Sequence, residues 1–229
     1  MKTSTLLLCA AMLALGVVQT KAQMSEYDVN QPIGWGTINY SSTGNYDSPE
    51  SYEITGSNDA NPVLVTTYDE LRRELNRQAT PRTIYIDGEI TFTGQLSVNR
   101  ASNVTIYGLP GSALVNATHT DDDNATGILR FTNCSNIIIR NDNLFLSNNS
   151  HNIWVDHCDF QDGVDGNFDC SNGADNISIT WCRFRYLKEP WPGGSGGSDD
   201  HRFSNLWGGA DDQEENIGHL NTTFYACWW

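Results

Sequence analysis

One short strand recurs in this chain about every 22 to 24 residues, and that spacing excludes most all-β designs. The segment NIWVDHCDF, Asn152 to Phe160, lines up with NISITWCRF, Asn176 to Phe184, at an offset of 24 residues. Asn, Ile, a β-branched residue, Cys and Phe coincide. NTTFYACWW, Asn221 to Trp229, fits the same frame 45 residues further on, close to two periods. Weaker copies start at Asn103 (NVTIY) and Asn136 (NIIIR). Hairpin partners return after about two to five residues, so strands this sparse cannot pair with their neighbours in sequence. A solenoid can use them, because each turn adds a rung to the same parallel sheets. In that frame Ile153, Val155, Ile177, Ile179 and Phe224 point inward, and Cys158, Cys182 and Cys227 stack at one corner.

The rest of the chain divides around the repeat. Lys2, an apolar run from Leu6 to Val18 and then Thr20-Lys21-Ala22 read as a signal peptide over 1–22, too short to span a bilayer. Residues 23–61 are polar and rich in Gly, Ser and Asn, an irregular leader. Residues 62–229 hold the solenoid. Thr67 to Glu70 (TYDE) is a capping-box signature, and Leu71 and Leu75 share one face of a helix expected to run to about Gln78. Such a helix covers the open end of the first rung. The expected fold is all-β, a right-handed parallel β-helix with a short N-terminal capping helix. The expected location is outside the cytoplasm, secreted to the extracellular space or periplasm, as a monomer with no membrane partner.

Without Lys2 and Lys21 the chain has 11 basic and 28 acidic residues, a net charge near −17. Nucleic acid is excluded as a partner, since it requires a basic footprint. An anionic polysaccharide would be repelled unless a cation lay between the two. Five cysteines follow the leader, an odd number at wide spacing that suggests neither a disulfide framework nor a zinc site. A Cys158–Cys182 bridge is geometrically open on adjacent rungs, but a stacked apolar ladder is the expected state.

The block NIWVDHCDF, followed by Asp165-Gly166-Asn-Phe-Asp169 and ITWCRF (Ile179 to Phe184), strongly resembles pectate lyases of the pectate lyase/pectin lyase β-helix superfamily. The resemblance extends from Val65 (VTTYDEL) through Val104 (VTIYG) to Trp229. It implies cleavage of polygalacturonate by β-elimination in a groove along one sheet, with Ca2+ held there. By that resemblance Asp165 and Asp169 match calcium carboxylates, Asp142 matches a third ligand, and Lys188 matches a substrate-binding lysine.

The same residues suit that chemistry when read without the family. Asp165 and Asp169 flank a bend containing Gly166, so both carboxylates can face one point, and hard oxygen donors are what calcium needs. Lys188 follows Asp169 by 19 residues, nearly one rung. Elimination from a uronate removes the proton beside its carboxylate, so a cation and a lysine aimed there stabilise the developing charge. The plainer reading of the aspartate pair is turn capping by Asx side chains, and of Lys188 a solvated surface lysine. Trp191, in the loop after Lys188, either stacks on a sugar or packs. His157, beside Asp156, is expected to be a corner histidine.

Two departures from the family pattern stand out. Asn136 to Asn152 is only 16 residues, short for a rung of three strands and three turns, which puts the role of Asp142 in question. The arginine motif that supplies the proton-abstracting base in the family follows the position of Trp229, so no residue here is assigned as the base. The chain as written is therefore expected to be inactive, with later rungs missing. A non-catalytic carbohydrate-binding or adhesin β-helix and a pectin lyase are the alternatives. Retained acidic residues at 165 and 169 argue against the pectin lyase, because a neutral substrate does not require calcium.

Overall fold

The computed structural model describes residues 31–39, 49–77, 81–120, 122–140, 145–147, 149–193, 198–209 and 214–229. The stretch 1–22 and Asp142 lie outside them. Residues 31–229 form one compact unit. Its strands are β1 (Val63–Val65), β2 (Arg82–Ile86), β3 (Glu89–Phe92), β4 (Leu96–Asn99), β5 (Ser102–Gly108), β6 (Ala113–Asn116) and β7 (Leu129–Thr132). They continue as β8 (Ser135–Arg140), β9 (Phe145–Ser147), β10 (His151–Asp156), β11 (Asp159–Gln161), β12 (Asp175–Thr180), β13 (Arg183–Arg185) and β14 (Thr222–Tyr225). All ladder pairings between them are parallel. The chain is a parallel β-helix.

The longest sheet has seven strands in the order β1-β2-β5-β8-β10-β12-β14. Ile153 stands beside Ile177, and Ile179 beside Phe224, as the repeat requires. Each of β5, β8, β10 and β12 carries asparagine at its second position, Asn103, Asn136, Asn152 and Asn176, with φ of 57°, 54°, 52° and 54°. Asparagine is one of the few residues that enters this left-handed region at low cost. The exit corners are made by His157, Trp181 and Ala226 at φ of 53° to 54°. Cys158, Cys182 and Cys227 follow those corners with free thiols. Inside the coil Phe160 stacks on Phe184 at 5.0 Å and on Phe168 at 5.3 Å.

Across the 16-residue interval the described strands keep the rung frame: Ile153 pairs with Ile137, and β9 pairs with β7 in a three-stranded sheet β4-β7-β9. Among the described residues the remaining sheet consists of two pairs, β3-β6 and β11-β13.

A helix, α1 (Tyr68–Leu75), covers the first rungs with Leu71 and Leu75 fully buried. It ends three residues short of Gln78: Asn76 caps it, and the Arg82 guanidinium donates to the Leu75 carbonyl at 3.2 Å. Phe224 also departs from expectation. It takes its register place but is 36% exposed, because no described strand lies beyond β14.

The leader is irregular in secondary structure but not loose in its contacts. Its described parts cross the outer face of the seven-stranded sheet from β14 back to β5. Trp35 N donates to Thr223 Oγ1 at 2.9 Å, Gly36 N to Ser178 Oγ at 3.0 Å, and Asn152 Nδ2 to the Ile38 carbonyl at 2.8 Å. Thr55 N donates to Asn136 Oδ1 at 2.8 Å, and Ser57 N to Thr105 Oγ1 at 2.9 Å. Backbone approaches side chain so closely that a Cβ on Gly36 would sit 2.4 Å from Ser178 Oγ.

Candidate functional site

Asp165 and Asp169 lie in the segment after β11, which the following rung braces. Isolated parallel bridges join Gly166 to Phe203 and Cys170 to Trp207, and Cys170 N donates to the Leu206 carbonyl at 2.9 Å. Gly163 N donates to Asn167 Oδ1 at 3.0 Å, which tightens the bend. The Asp169 carboxylate folds back over Gly166: a Cβ there would meet its oxygens at 2.7 and 2.8 Å. Only glycine leaves room for that carboxylate. Leu206 N donates to Asp169 Oδ1 at 2.8 Å.

Burial pushes the Asp169 carboxyl up to about 6 from an ordinary 3.8, and the neighbouring Asp165 charge adds to the rise. The Leu206 amide and His201 pull the other way without cancelling it. Two carboxylates that feel each other, one of them largely removed from water, make a site short of positive charge. Hard oxygen donors of this kind fit a divalent cation such as calcium. Among the described residues no group of three His, Cys, Asp or Glu side chains converges in a metal-binding arrangement.

His201 was not singled out in the sequence, yet its Nε2 lies 2.9 Å from Asp165 Oδ1. It returns from a loop 36 residues later, in a run (DDHRF) with no recognisable spacing. Tyr186 was also missed. Its hydroxyl donates to the Phe203 carbonyl at 3.0 Å, and burial together with the nearby Asp169 charge drives its phenol pKa upward.

Two adjoining clefts are each lined by residues of β6 and β11. The smaller, about 270 Å3, contains Asp165 and Asp169. The larger, about 780 Å3, contains Lys188, and both are lined by Gln161 through Val164. Lys188 is fixed through its backbone: its N donates to Asp162 Oδ1 at 3.0 Å, and its carbonyl accepts from Arg202 Nη1 at 3.3 Å. The structure therefore brings the two aspartates together and sets Lys188 on the wall of the neighbouring cleft.

His157 is a corner residue, as expected. Its ring stacks with Trp181 at 6.1 Å, and its Nδ1 lies 2.8 Å from the buried Asp156 Oδ2. Thr180 Oγ1 donates to Asp156 Oδ1 at 2.5 Å, and Arg140 also pairs with this carboxylate. These partners account for the buried charge.

No family model matches the chain. Among curated proteins it is similar to pectate lyase plyB of Emericella nidulans, 28% identical over 217 residues that cover 92% of this chain and 57% of that protein. A pectate trisaccharide-lyase of Bacillus licheniformis is 31% identical over 166 residues, covering 64% of this chain and 46% of that protein. Among solved structures, a pectate lyase of a Bacillus species in complex with trigalacturonate gives a TM-score of 0.57 at 20% identity, over 86% of this chain and 61% of that one. A pectate lyase bound to a hexasaccharide gives 0.60 at 16% identity, over 90% and 68%. At these identities the solved structures speak for the fold alone. The chain spans about half the length of the curated relatives it matches.

Proposed function

Since the chain is a member of the pectate lyase superfamily, we propose that it provides the cation-holding and uronate-binding part of a secreted lyase acting on polygalacturonate. Asp165 and Asp169 hold calcium, with Asp142 as a third ligand, and Lys188 receives a uronate carboxylate of the polymer. The observation that carries this reading is the Asp165–Asp169 pair, closed over Gly166 with its second carboxyl raised to about 6. A site this short of positive charge on an acidic protein gains from a cation that also meets an acidic polymer. Bound there, calcium would supply charge stabilisation for the uronate carboxylate as the adjacent proton leaves. The Lys188 ammonium has no acidic partner among the described residues, which leaves it available to the same carboxylate. No residue is assigned as the base. Export follows from the signal-peptide reading of 1–22, and the chain acts as a monomer.

The test is polygalacturonate incubated with the 229-residue chain, with ultraviolet detection of unsaturated product and calorimetric detection of binding, each with calcium and with chelator. Calcium-dependent binding, lost in Asp165→Asn and Asp169→Asn, is the expected result, with no unsaturated product from this chain. Binding that survives chelator and both substitutions would overturn the calcium assignment. Absence of binding under any condition would overturn the pectate reading. A non-catalytic carbohydrate-binding module is the second reading. Unsaturated product from the unaltered chain eliminates it.

A further inference from the structure

We propose that His119 and Trp191 form an aromatic clamp across the larger cleft, and that the Trp191 indole stacks on a uronosyl ring adjacent to the one Lys188 holds. This inference deepens the pectate reading above and rests on it. The two rings come from opposite sides of the divided sheet. His119 follows β6, the last strand of one pair, and Trp191 follows β13, the last strand of the other. Their rings stack at 5.6 Å with planes 29° apart, which joins the segment after β6 to the segment after β13. Both line the 780 Å3 cleft with Lys188.

The pair is not part of the hydrophobic core: His119 is exposed and Trp191 only half-buried, and neither joins the buried cluster. An indole kept at a cleft mouth by one stacking partner retains apolar surface that the fold itself does not use. The chemistry around it narrows the ligand. Arg202, the other cation in this wall, is committed to Asp200, with Nε and Nη2 donating at 2.8 and 2.7 Å, and its guanidinium lies 5.8 Å from the Tyr186 ring. Of the acids in the same lining, Asp159 is paired with Arg183 and Arg185, and Asp162 accepts from the Leu187 and Lys188 amides. An ammonium and an aromatic plate lining one cleft suit a pyranose that carries a carboxylate. The C–H face of the sugar ring lies on the indole while carboxylates of the chain meet the cation. A cleft with two such points takes at least two linked residues.

Calorimetry with trigalacturonate and calcium tests the clamp on the unaltered chain, Trp191→Ala, Trp191→Phe and His119→Ala. Calcium binding without sugar and thermal melting are measured in parallel. Trp191→Ala is expected to weaken trigalacturonate binding about threefold to tenfold, with Trp191→Phe restoring most of it. His119→Ala is expected to fall between them, with calcium affinity and melting unchanged in all three. Trisaccharide affinity in Trp191→Ala equal to that of the unaltered chain would overturn the clamp. So would an equal loss of calcium binding and melting temperature, which marks a purely structural tryptophan. If the unaltered chain binds no trigalacturonate with calcium, the pectate reading fails and the clamp falls with it.

Discussion

The imidazole of His201 meets the Asp165 carboxylate at 2.9 Å and thereby reaches Asp169, which it does not touch in any hydrogen bond. Its charge is among the influences that hold the Asp169 carboxyl down. Replacing it by a neutral side chain, His201→Gln, is expected to raise the Asp169 pKa further, by about half a pH unit. Carboxyl-selective NMR titration of the calcium-free chain reads this directly. An unchanged or lowered value would show that the pair is electrostatically isolated.

Asp169 also ties stability to pH. Its carboxyl is raised to about 6 in the folded chain against 3.8 ordinarily, chiefly by burial. A group raised in this way contributes stability that is fully present below its unfolded value and is lost as pH rises through its folded one. The calcium-free chain is therefore expected to be more stable at about pH 5 than at about pH 7.5, by roughly 1 kcal/mol after discounting for partial solvent screening. Asp169→Asn should flatten that difference. Urea unfolding at the two pH values measures it, and equal slopes in both proteins would refute the assignment.

The rungs could be read from the sequence because every rung repeats the same local demand. Asn152 and Asn176 both enter left-handed backbone, and Ile153 and Ile177 both face inward, so the offset of 24 residues appears directly as strand register. The short interval before Asn152 was visible as an anomaly, but not its solution. The placement of β9 depends on pairing with β7, a partner chosen by space and not by local pattern. The aspartate pair was legible because its spacing encloses a glycine. His201 was not, since a loop return of that length carries no periodicity. The leader was opaque for a different reason: apart from the buried Ile54, its described attachments are hydrogen bonds between its backbone and Thr, Ser and Asn side chains, which leave no periodic hydrophobic signature.

That attachment is testable at Gly36. An alanine methyl would need the space occupied by Ser178 Oγ, 2.4 Å from the ideal Cβ position. Gly36→Ala is expected to destabilise the chain by about 1–3 kcal/mol, the usual cost of overpacking a close contact. Chemical denaturation checks this, and a loss below about 0.5 kcal/mol would mean that the leader contributes little to holding the sheet.

The cysteine ladder gives a chemical prediction. A hydrogen bond with Cys182 lowers the Cys227 thiol pKa to about 7, while burial, with its thiol neighbours adding to it, pushes the Cys182 thiol up. Cys227 is half-buried, whereas Cys134, Cys158, Cys170 and Cys182 are buried. Brief alkylation of the native chain near neutral pH is expected to modify Cys227 before those four, because the thiolate is the reactive form. Peptide mass mapping identifies the labelled residue. Prior labelling at Cys158 or Cys182 would contradict the packing of that corner.

The path of residues 31–39 and 49–57 over the sheet has a bearing on how such a molecule comes into being. The Trp35 amide donates its hydrogen bond to Thr223, a residue that leaves the ribosome long after it. Residues 55–57 find their partners on β5 and β8 early, while residues 35 and 36 must wait for β12 and β14. Order of synthesis and order of docking run in opposite directions, so this buckle fastens from its far end, and its first-made end closes last.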